Sequence, residues 1–352
     1  SVNKTAQIEL FGQEVNPETF AVAKSDFLIK GENAENIKFG STLAHDQLFG
    51  EKYDYMLSNP PYGKEWKKDE KEIRKEAEIG FQGRFGAGLP RISDGQLLFL
   101  QTMLAKMRSS NGGSRIAIVM NGSPLFTGDA GSGESEIRRW IIEKDWLEAI
   151  VALPNQLFYN TGIHTYIWIL TNRKKAHHKG KIKLINAVEL YEKMRKSLGD
   201  KRNYISDEQI QKVTDAVLDG EKPGFVQIHP NEFFGYRKIT IERPLRDDKG
   251  KVLLEKDGKP KPNVDLRDYE NVPLGEDIRG YFKREVLPHV PDAWINEDSK
   301  YRDHKDNEIG KIGYEISFTR YFYEYKPLRP LEKISTEIKT LEDEISGTLK
   351  DL

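Results

Sequence analysis

The chain has 352 residues, with 55 Lys and Arg, 56 Asp and Glu, a formal net charge of -1 and no cysteine. This length suits one large hydrophobic core and a second, smaller unit. The lack of cysteine excludes disulfides and thiolate metal sites and fits a reducing compartment, so we expect a cytoplasmic protein. The balanced charge argues against a protein that is basic throughout, although local basic patches can still bind phosphates.

The sequence indicates neither a membrane span nor a signal peptide. No apolar run is long enough to cross a bilayer, and the N-terminal residues lack a charged-then-apolar layout. We therefore expect no membrane partner. The chain begins at Ser1 rather than methionine and residues 8–14 are predicted to form a strand, so we expect the natural chain to start earlier.

Residues 1–185 alternate short apolar runs with helix-like segments. In chain order these are AQIELFG, PETFAVAKSDFLIKG, NIKFG, KYDYMLSNPPYG, DGQLLFLQTMLAKMRSSNGG, SRIAIVMNG, GESEIRRWIIEKDWLEAIVALP and HTYIWILTN. The alternation predicts an α/β fold with a parallel, helix-covered sheet. Pro17 indicates a helix start, and Gly31 and the Gly112–Gly113 pair indicate helix ends.

The character of the sequence changes after about residue 186. Residues 186–329 are predicted to form a mixed extension, with charged helical stretches and a hairpin or loop near 243–262 that has glycine turn signals at 250 and 258. From residue 330, apolar side chains recur every three or four positions, at 331, 334, 338, 341 and 345. This spacing predicts a coiled-coil-type C-terminal helix over 330–352.

The stretch YDYMLSNPPYG places two prolines at the end of a predicted strand. In an open parallel sheet, ligands bind beyond the carboxyl ends of the strands. Each proline restricts the residue before it and has no N–H. The Asn59 side-chain oxygen and the Pro60 carbonyl are therefore two acceptors on a stiff frame, followed by Pro61 and by the flat face of Tyr62.

Two acceptors aimed at one point suit an amino group with two hydrogens, such as the exocyclic amine of a nucleobase. The lone pair of that amine is conjugated into the ring. Accepting both N–H bonds favours a more tetrahedral nitrogen, whose lone pair can attack a methyl group on a sulfonium. The alternative is a proline-rich turn that only ends a strand.

Asn59-Pro60-Pro61-Tyr62 after a strand resembles the catalytic motif of S-adenosylmethionine-dependent amino methyltransferases that act on DNA. More of the chain resembles the modification subunit of type I restriction-modification enzymes, through the segments GQEVNPETFAVAK, SNPPYG, DGQLLFLQTML, GESEIRRWIIEKDWLEAIVALPNQLFYNTGIHTYIWIL and GYEISFTRYFYEYKPLRPLEKI. The resemblance covers nearly the whole chain. It implies a Rossmann-like sheet with helices on both faces, a catalytic domain over 1–185 and S-adenosylmethionine as the cofactor.

The resemblance also implies the residues that bind the cofactor. Glu14, at the end of a predicted strand, would bind the ribose hydroxyls, with Val15 and Asn16 beside the same moiety, although Glu14 could also cap the following helix. Ser41 is the candidate after the next strand, where many adenine methyltransferases have an acidic residue instead. By the same resemblance, Asn59 is expected to contact both the cofactor and the target base.

The glycine-containing loop after the family's first strand would precede Ser1. FQGRFGAGLP and FTGDAGSGESE are interpreted as mobile loops, with a helix start in the second. We therefore expect this chain by itself to bind S-adenosylmethionine weakly or not at all, which calorimetric titration can test.

A target amine inside a duplex must be rotated out of the stack before it can react. By resemblance, Phe158 and Tyr159 pack against the extruded base opposite Tyr62, although core packing is the alternative for each.

The runs KEWKKDEKEIRKE and RKKAHHKGKIK are candidate phosphate contacts or solvated surfaces. His177 and His178 lack a metal-site pattern, so no metal is expected.

The predicted function is that of a DNA N6-adenine methyltransferase subunit. The alternatives are a methyltransferase of the same fold acting on a protein glutamine amide and a non-catalytic assembly scaffold. The resemblance implies three partners: double-stranded DNA, a specificity subunit bound through the C-terminal helix and a second modification subunit. The sequence leaves open whether a restriction subunit joins them. DNA site choice is expected to lie in the specificity subunit. Packing on its own catalytic domain is the alternative for the helix.

Overall fold

The structure is a computed structural model that describes residues 6–110, 112–218, 224–325, 328 and 330–350. The chain divides into two compact units, Ser1–Ser317 and Phe318–Leu352. In the described ranges, no helix combines the length and the apolar character that a membrane span requires.

Up to residue 186, the predicted alternation of strands and helices holds in part, since β2 and β3, and also β5, β6 and β7, follow one another without an intervening α-helix. The strands are β1 (Gly12–Glu14), β2 (Ile37–Phe39), β3 (Tyr55–Ser58), β4 (Arg115–Asn121), β5 (Leu147–Ala152), β6 (Thr165–Thr171) and β7 (Lys181–Asn186). The helices are α1 (Pro17–Ile29), α2 (Glu70–Glu78), α3 (Gln96–Ala105), α4 (Ser123–Phe126) and α5 (Gly133–Glu143).

Beyond residue 186 the strands are β8 (Glu192–Leu198), β9 (Lys201–Tyr204), β10 (Val226–Pro230), β11 (Gly235–Glu242), β12 (Asp268–Pro273), β13 (Trp294–Ile295) and β14 (Lys311–Tyr314). The helices are α6 (Asp207–Leu218) and α7 (Ile278–Tyr281), which continues as a π-helical turn, and in the second unit α8 (Phe318–Tyr321) and α9 (Leu331–Lys350). The prediction of charged helices after 186 is therefore wrong for residues 192–204. They form an antiparallel hairpin, because Gly199 adopts φ +63° and reverses the chain.

The ends of α1 follow the predicted signals. Pro17 is in the first turn, and the Asn16 side chain caps the helix by accepting hydrogen bonds from two backbone amides. Gly31, just beyond the helix, has φ +74°. The strand predicted over 8–14 is shorter than expected, since only the three residues of β1 pair with β2.

The main sheet has six strands in the order β10-β7-β5-β6-β4-β3. β3 and β4 are parallel, as are β5 and β7, whereas β6 is antiparallel to both its neighbours and β10 is antiparallel to β7. The expected parallel sheet is therefore mixed. The physical reason is that residues 153–164 join β5 to β6 without a helix. Two consecutive strands can be parallel only if a crossover segment, usually a helix, returns the chain to the edge where the first strand began.

β1 and β2 form a separate parallel pair. In the described part of the chain, β1 pairs only with β2 and β3 only with β4, so each has one edge of unpaired backbone groups. On β3, Tyr55 and Leu57 are 68% and 84% exposed. The Phe11 and Tyr53 rings, which precede β1 and β3, lie 5.4 Å apart. The two open edges therefore belong to neighbouring parts of the fold.

The core of the first unit lies on the main sheet. Every residue of β5 is buried, and β4 buries alternate side chains, including Ile116, Ile118 and Met120. Trp168 on β6 is fully buried. A central strand covered on both faces and a neighbour with period-two burial are what an α/β sheet requires.

A second sheet, β12-β11-β13 with β14 also paired to β11, is held against α5 by buried arginines. The Arg138 guanidinium donates to the carbonyls of Tyr314 at 2.5 Å and Thr127 at 2.8 Å. Burial lowers the pKa of Arg138 to about 10, so it stays charged at neutral pH. Arg139 makes two hydrogen bonds with the Asp303 carboxylate, at 2.8 and 3.1 Å.

Residues 243–262, which form most of the connection from β11 to β12, make two consecutive hairpins that we call the basic arm. Antiparallel bridges join Arg246 to Val252 and Leu254 to Pro260. The turns contain Gly250 at φ +78° and Gly258 at φ +81°, the two positions that the sequence indicated. Most of the arm is exposed.

The two glycine-rich segments pack against each other instead of standing free as mobile loops. A Cβ atom on Gly133 would lie only 1.8 Å from the Leu89 carbonyl oxygen, so only glycine permits this approach. The Arg91 amide also donates to the Glu134 carboxylate at 2.8 Å. The predicted helix start is confirmed, since Ser132 is the N-cap of α5.

We predict that Gly133→Ala lowers the free energy of unfolding by about 2–3 kcal/mol, because the added methyl must displace backbone rather than a flexible side chain. Gly275→Ala is the matched control, since a Cβ there meets nothing within 4 Å. The control should change stability by less than about 0.5 kcal/mol. Urea unfolding of both variants measures the difference, and equal stabilities would show that the two loops are not closely packed.

Candidate active site

The directions of the strands collect several loops at one edge of the main sheet. β3, β4, β5 and β7 all point the same way, because the reversed strand β6 lies between β4 and β5. The segments that follow these four strands therefore leave from the same edge. This is the edge at which open α/β sheets bind ligands.

The Asn59-Pro60-Pro61-Tyr62 corner lies at this edge, directly after β3. Asn59 and Pro61 are exposed, Pro60 is buried and Tyr62 is half-buried. The Tyr62 hydroxyl donates a hydrogen bond to the Asn59 side-chain oxygen, with the two atoms 2.6 Å apart. One of the two predicted acceptors thus already has a protein partner, which the sequence did not indicate.

Burial raises the pKa of Tyr62 to about 12. The hydroxyl is therefore protonated at neutral pH and acts as a donor toward Asn59. An incoming N–H group would have to replace this hydroxyl, or share the oxygen with it, since an amide oxygen has two lone pairs.

The corner is fixed by the residues after it. Trp66 is 3% exposed, and its indole N–H donates to the Arg91 carbonyl at 3.0 Å. The Gly95 amide donates to the Lys64 carbonyl at 3.1 Å. The segment 64–66 is therefore bound to 91–95, and the corner has an anchored C-terminal side as well as a strand on its N-terminal side.

Glu14, Val15 and Asn16 lie where β1 leads into α1. The Glu14 carboxylate accepts from the Asn16 amide at 2.6 Å, and the Asn16 side chain is occupied as the helix cap. The capping role considered for Glu14 therefore belongs mainly to Asn16. Val15 is 60% exposed. Glu14 is placed as predicted, at the carboxyl end of a strand.

Ser41 follows β2, beside Glu14, since the Gly40 amide donates to the Glu14 carbonyl at 2.9 Å. The Ser41 hydroxyl donates to the Asp69 carboxylate at 2.7 Å. An acidic group therefore does lie at this strand end, but it comes from the segment after the corner. The same bond connects the candidate cofactor residues to the Asn59 corner.

Phe158 and Tyr159, in the loop after β5, have different surroundings. Phe158 packs on the core cluster that contains Val151 and Leu153, as the alternative reading expects. Tyr159 is 60% exposed, and the Lys201 ammonium lies 4.9 Å from its ring centre. Tyr159 is therefore the one whose ring is available at the surface.

Comparison with known proteins gives the family. The family model for N-6 DNA methylases matches residues 1–227 of this chain. The chain belongs to the N-6 DNA methylase family. This finding confirms the resemblance that the Asn-Pro-Pro-Tyr corner and the surrounding segments indicated.

Curated relatives of this chain are methylase subunits of type I restriction enzymes. The MjaVII methylase subunit of Methanocaldococcus jannaschii is 30% identical over 226 residues, which cover 62% of this chain and 37% of the relative. The HindI methylase subunit of Haemophilus influenzae is 32% identical over 186 residues, or 52% of this chain and 38% of the relative. The chain thus matches less than two-fifths of the length of these proteins.

A solved structure shares the fold of this chain. It is the type I restriction-modification system methyltransferase subunit from Streptococcus thermophilus, with a TM-score of 0.53 and 24% identity. The match covers 64% of this chain and 45% of that chain. The predicted α/β methyltransferase fold is therefore confirmed.

The two basic runs considered as phosphate contacts lie at opposite edges of the main sheet. Residues 64–76 follow the corner, at the candidate site. Residues 173–183 comprise the connection after β6 and the first residues of β7, and therefore lie at the far edge. There Lys174 is buried and donates to the Asp145 carboxylate at 2.5 Å, so it is a structural residue. In the described ranges, no group of three His, Asp or Glu could hold a metal ion.

Sequence reasoning missed three residues that shape this site. Asp69 gave no signal, because it lies in a run of mixed charge. Gln96 and Asp94 are buried and bonded to each other at 2.9 Å, and Gln96 also donates to the Asn121 side chain at 3.0 Å. The only feature of the sequence that indicated them is that polar residues stand at the start of an otherwise apolar helix.

Proposed function

We propose that this chain is the catalytic part of a type I DNA N6-adenine methyltransferase subunit, which transfers a methyl group from S-adenosylmethionine to an extruded adenine. The observation that carries the proposal is the corner after β3, where the Asn59 oxygen and the Pro60 carbonyl stand on a proline-stiffened frame at the ligand-binding edge. Membership of the N-6 DNA methylase family supports it.

The ends of β1 and β2 fit S-adenosylmethionine. Within the described residues, the Glu14 carboxylate accepts one protein N–H, which leaves an oxygen for a ribose hydroxyl. Val15 offers an exposed apolar side chain, and Ser41 with Asp69 offers polar groups at the next strand end. When bound, S-adenosylmethionine would supply the electrophilic methyl group on its sulfonium.

The role of Asn59 is to orient the target amine. By accepting an N–H bond, it would draw the nitrogen toward a tetrahedral geometry and free the lone pair for attack on the methyl group that the cofactor would supply, with the cofactor's thioether as the leaving group. The nitrogen then loses one proton, and water is the acceptor we assign, because an amide oxygen is a weak base. Positioning, rather than strong base catalysis, is the contribution of the corner.

The adenine would be held by aromatic faces after it leaves the duplex. We assign one face to Tyr62, beside Asn59, and the other to the loop of Phe158 and Tyr159. Tyr159 is the better candidate for direct contact because its ring is exposed, whereas Phe158 supports the loop from the core.

Two other functions would use the same fold: methylation of a protein glutamine amide, and a non-catalytic scaffold role. Labelled methyl in adenine supports DNA methylation, label in protein supports the second function, and label in neither product of the intact complex supports the third. The curated relatives are described as restriction-enzyme methylase subunits, which favours the first.

We predict that Asn59→Ala in the intact enzyme lowers the rate of labelled-methyl transfer to adenine by at least about 100- to 1,000-fold. Cofactor affinity should change much less. Asn59→Asp is the matched control, since it keeps an acceptor on the same frame, and it should retain more activity than the alanine variant. Near-normal methylation by Asn59→Ala would refute the role of this residue.

We predict that Tyr62→Phe keeps transfer within about threefold of wild type, because the ring remains and Asn59 loses only a competing donor. Tyr62→Ala should raise the KM for DNA by about 10- to 100-fold, since base–aromatic stacking is worth about 1–3 kcal/mol. Steady-state kinetics with both variants compares ring and hydroxyl. If Tyr62→Phe impaired methyl transfer as much as Tyr62→Ala, the hydroxyl rather than the ring would be the functional group at this position.

We propose a type I assembly for the whole protein: a specificity subunit that chooses the DNA site, a second modification subunit and a restriction subunit. The docking element we assign is α9. Its stripe of Leu331, Ile338, Leu341 and Ile345 is at least half exposed, and Ile334 is partly buried. A narrow stripe of this kind suits a coiled-coil seam with a helix of the specificity subunit.

We predict that deletion of residues 331–352 leaves the rest of the protein folded but abolishes co-purification with the specificity subunit. Ile338→Lys with Leu341→Lys should have the same effect at unchanged length. Thr336→Lys with Thr340→Lys, off the stripe, adds the same charge and should assemble normally. Assembly of the truncated protein, or its unfolding, would contradict a docking role.

A further inference from the structure

A basic hairpin lies beside the candidate base-binding loop and has no role in the chemistry described above. It consists of β8 and β9, residues 192–204, and its residues are exposed except Met194, Lys201 and Asn203. It contains five basic residues, Lys193, Arg195, Lys196, Lys201 and Arg202, and two acidic ones, Glu192 and Asp200.

Within the described residues, two cations of the hairpin contact aromatic rings: the Lys193 ammonium lies 5.1 Å from the Tyr191 ring centre, and Lys201 lies over the Tyr159 ring. Among the described residues, Lys193, Arg195, Lys196 and Arg202 take part in no ion pair. The carboxylate of Glu192 is occupied by the Tyr204 hydroxyl at 2.5 Å. The hairpin therefore presents a surplus of positive charge to the solvent, suited to a partner with closely repeated negative charges.

The hairpin is attached to the loop that carries Tyr159. The amides of Arg202 and Asn203 both donate to the Gln156 carbonyl, at 3.0 and 3.1 Å. The buried Asn203 side chain donates to the Asn155 carbonyl at 2.9 Å. With Lys201 over the Tyr159 ring, these contacts fix the position of the cations relative to the exposed aromatic.

The hairpin also lies at the same edge of the sheet as the corner, because it follows β7. The end of β5, from which the Tyr159 loop departs, is three strands from β3. At about 4.8 Å between strands, this separation is about 14 Å. DNA carries one charge per about 1.7 Å of helix axis, so a duplex with its target base near Asn59 would bring several phosphates within this span.

We propose that the β8–β9 hairpin binds the phosphate backbone of the DNA next to the extruded base. The inference rests on the proposed function and adds a surface that holds the duplex while the Tyr159 loop receives the base. Contacts of this kind position DNA and carry no sequence information. The hairpin therefore acts on affinity for every DNA sequence alike.

The test is a triple variant of the intact enzyme, Lys193→Gln, Arg195→Gln and Lys196→Gln. We expect the Kd for DNA at 0.15 M salt to rise about tenfold or more, with kcat at saturating DNA nearly unchanged. The slope of log K against log salt should fall by about 2–3, since each lost phosphate contact contributes about 0.9. Unchanged affinity and slope would overturn the proposal.

The matched control is the triple variant Lys249→Gln, Lys251→Gln and Lys256→Gln in the exposed basic arm, which removes the same charge. It should change the Kd less than about threefold. An equal loss in the control would show a general charge effect and overturn the proposal. Wild-type methylation of adenine, measured in parallel, separates failure of this inference from failure of the proposed function.

A second measurement does not depend on affinity. The chain has no cysteine, so Lys196→Cys, labelled with a thiol-linked photocrosslinker before assembly, gives one defined probe on the chain. We expect crosslinks to nucleotides within a few positions of the target adenine. Lys256→Cys is the control and should give few. The absence of crosslinks from the hairpin probe in a complex that methylates DNA would also overturn the proposal.

Discussion

A fully buried amide, Gln96, holds the candidate site together. Its side chain donates to the Asp94 carboxylate and to the Asn121 side chain and accepts from the Asn121 amide, which ties the start of α3 to the end of β4. The segment before it, 91–95, binds the residues that follow the corner. Because a buried amide left unpaired costs about 1–3 kcal/mol, these bonds favour one arrangement of the loops over others.

Buried cations have a comparable part in joining the second sheet to α5. Burial alone would raise the pKa of Asp303, but hydrogen bonds from Arg139 and from the Ile312 and Lys305 amides lower it to about 2. Its stabilising contribution is therefore present above its unfolded-state pKa and is lost only as the pH falls toward 2. Across the neutral range, Arg139 and Asp303 keep their charges, so their ion pair continues to join the second sheet to α5.

The sequence predicted turns and helix ends better than it predicted which strands and side chains pair with each other. Pro17, Gly31, Gly250 and Gly258 marked their boundaries because a missing N–H or a positive φ is a property of the residue itself. The reversal of β6, the β8–β9 hairpin and the Ser41–Asp69 bond depend on segments distant in the chain, and periodicity does not report those contacts. The corner was predicted because proline restricts its own neighbours, but the Tyr62 hydroxyl on Asn59 required the folded geometry.

The Tyr62–Asn59 hydrogen bond has a consequence for the choice of base under the proposed mechanism. Exchange of the hydroxyl donor for an amine donor replaces one hydrogen bond by another and costs little. A base that presents a carbonyl oxygen at the same place offers no hydrogen, so Asn59 would face a second acceptor with no hydrogen between the two oxygens. The same oxygen that orients an amine thus disfavours a carbonyl, and Tyr62 keeps it satisfied until the base arrives.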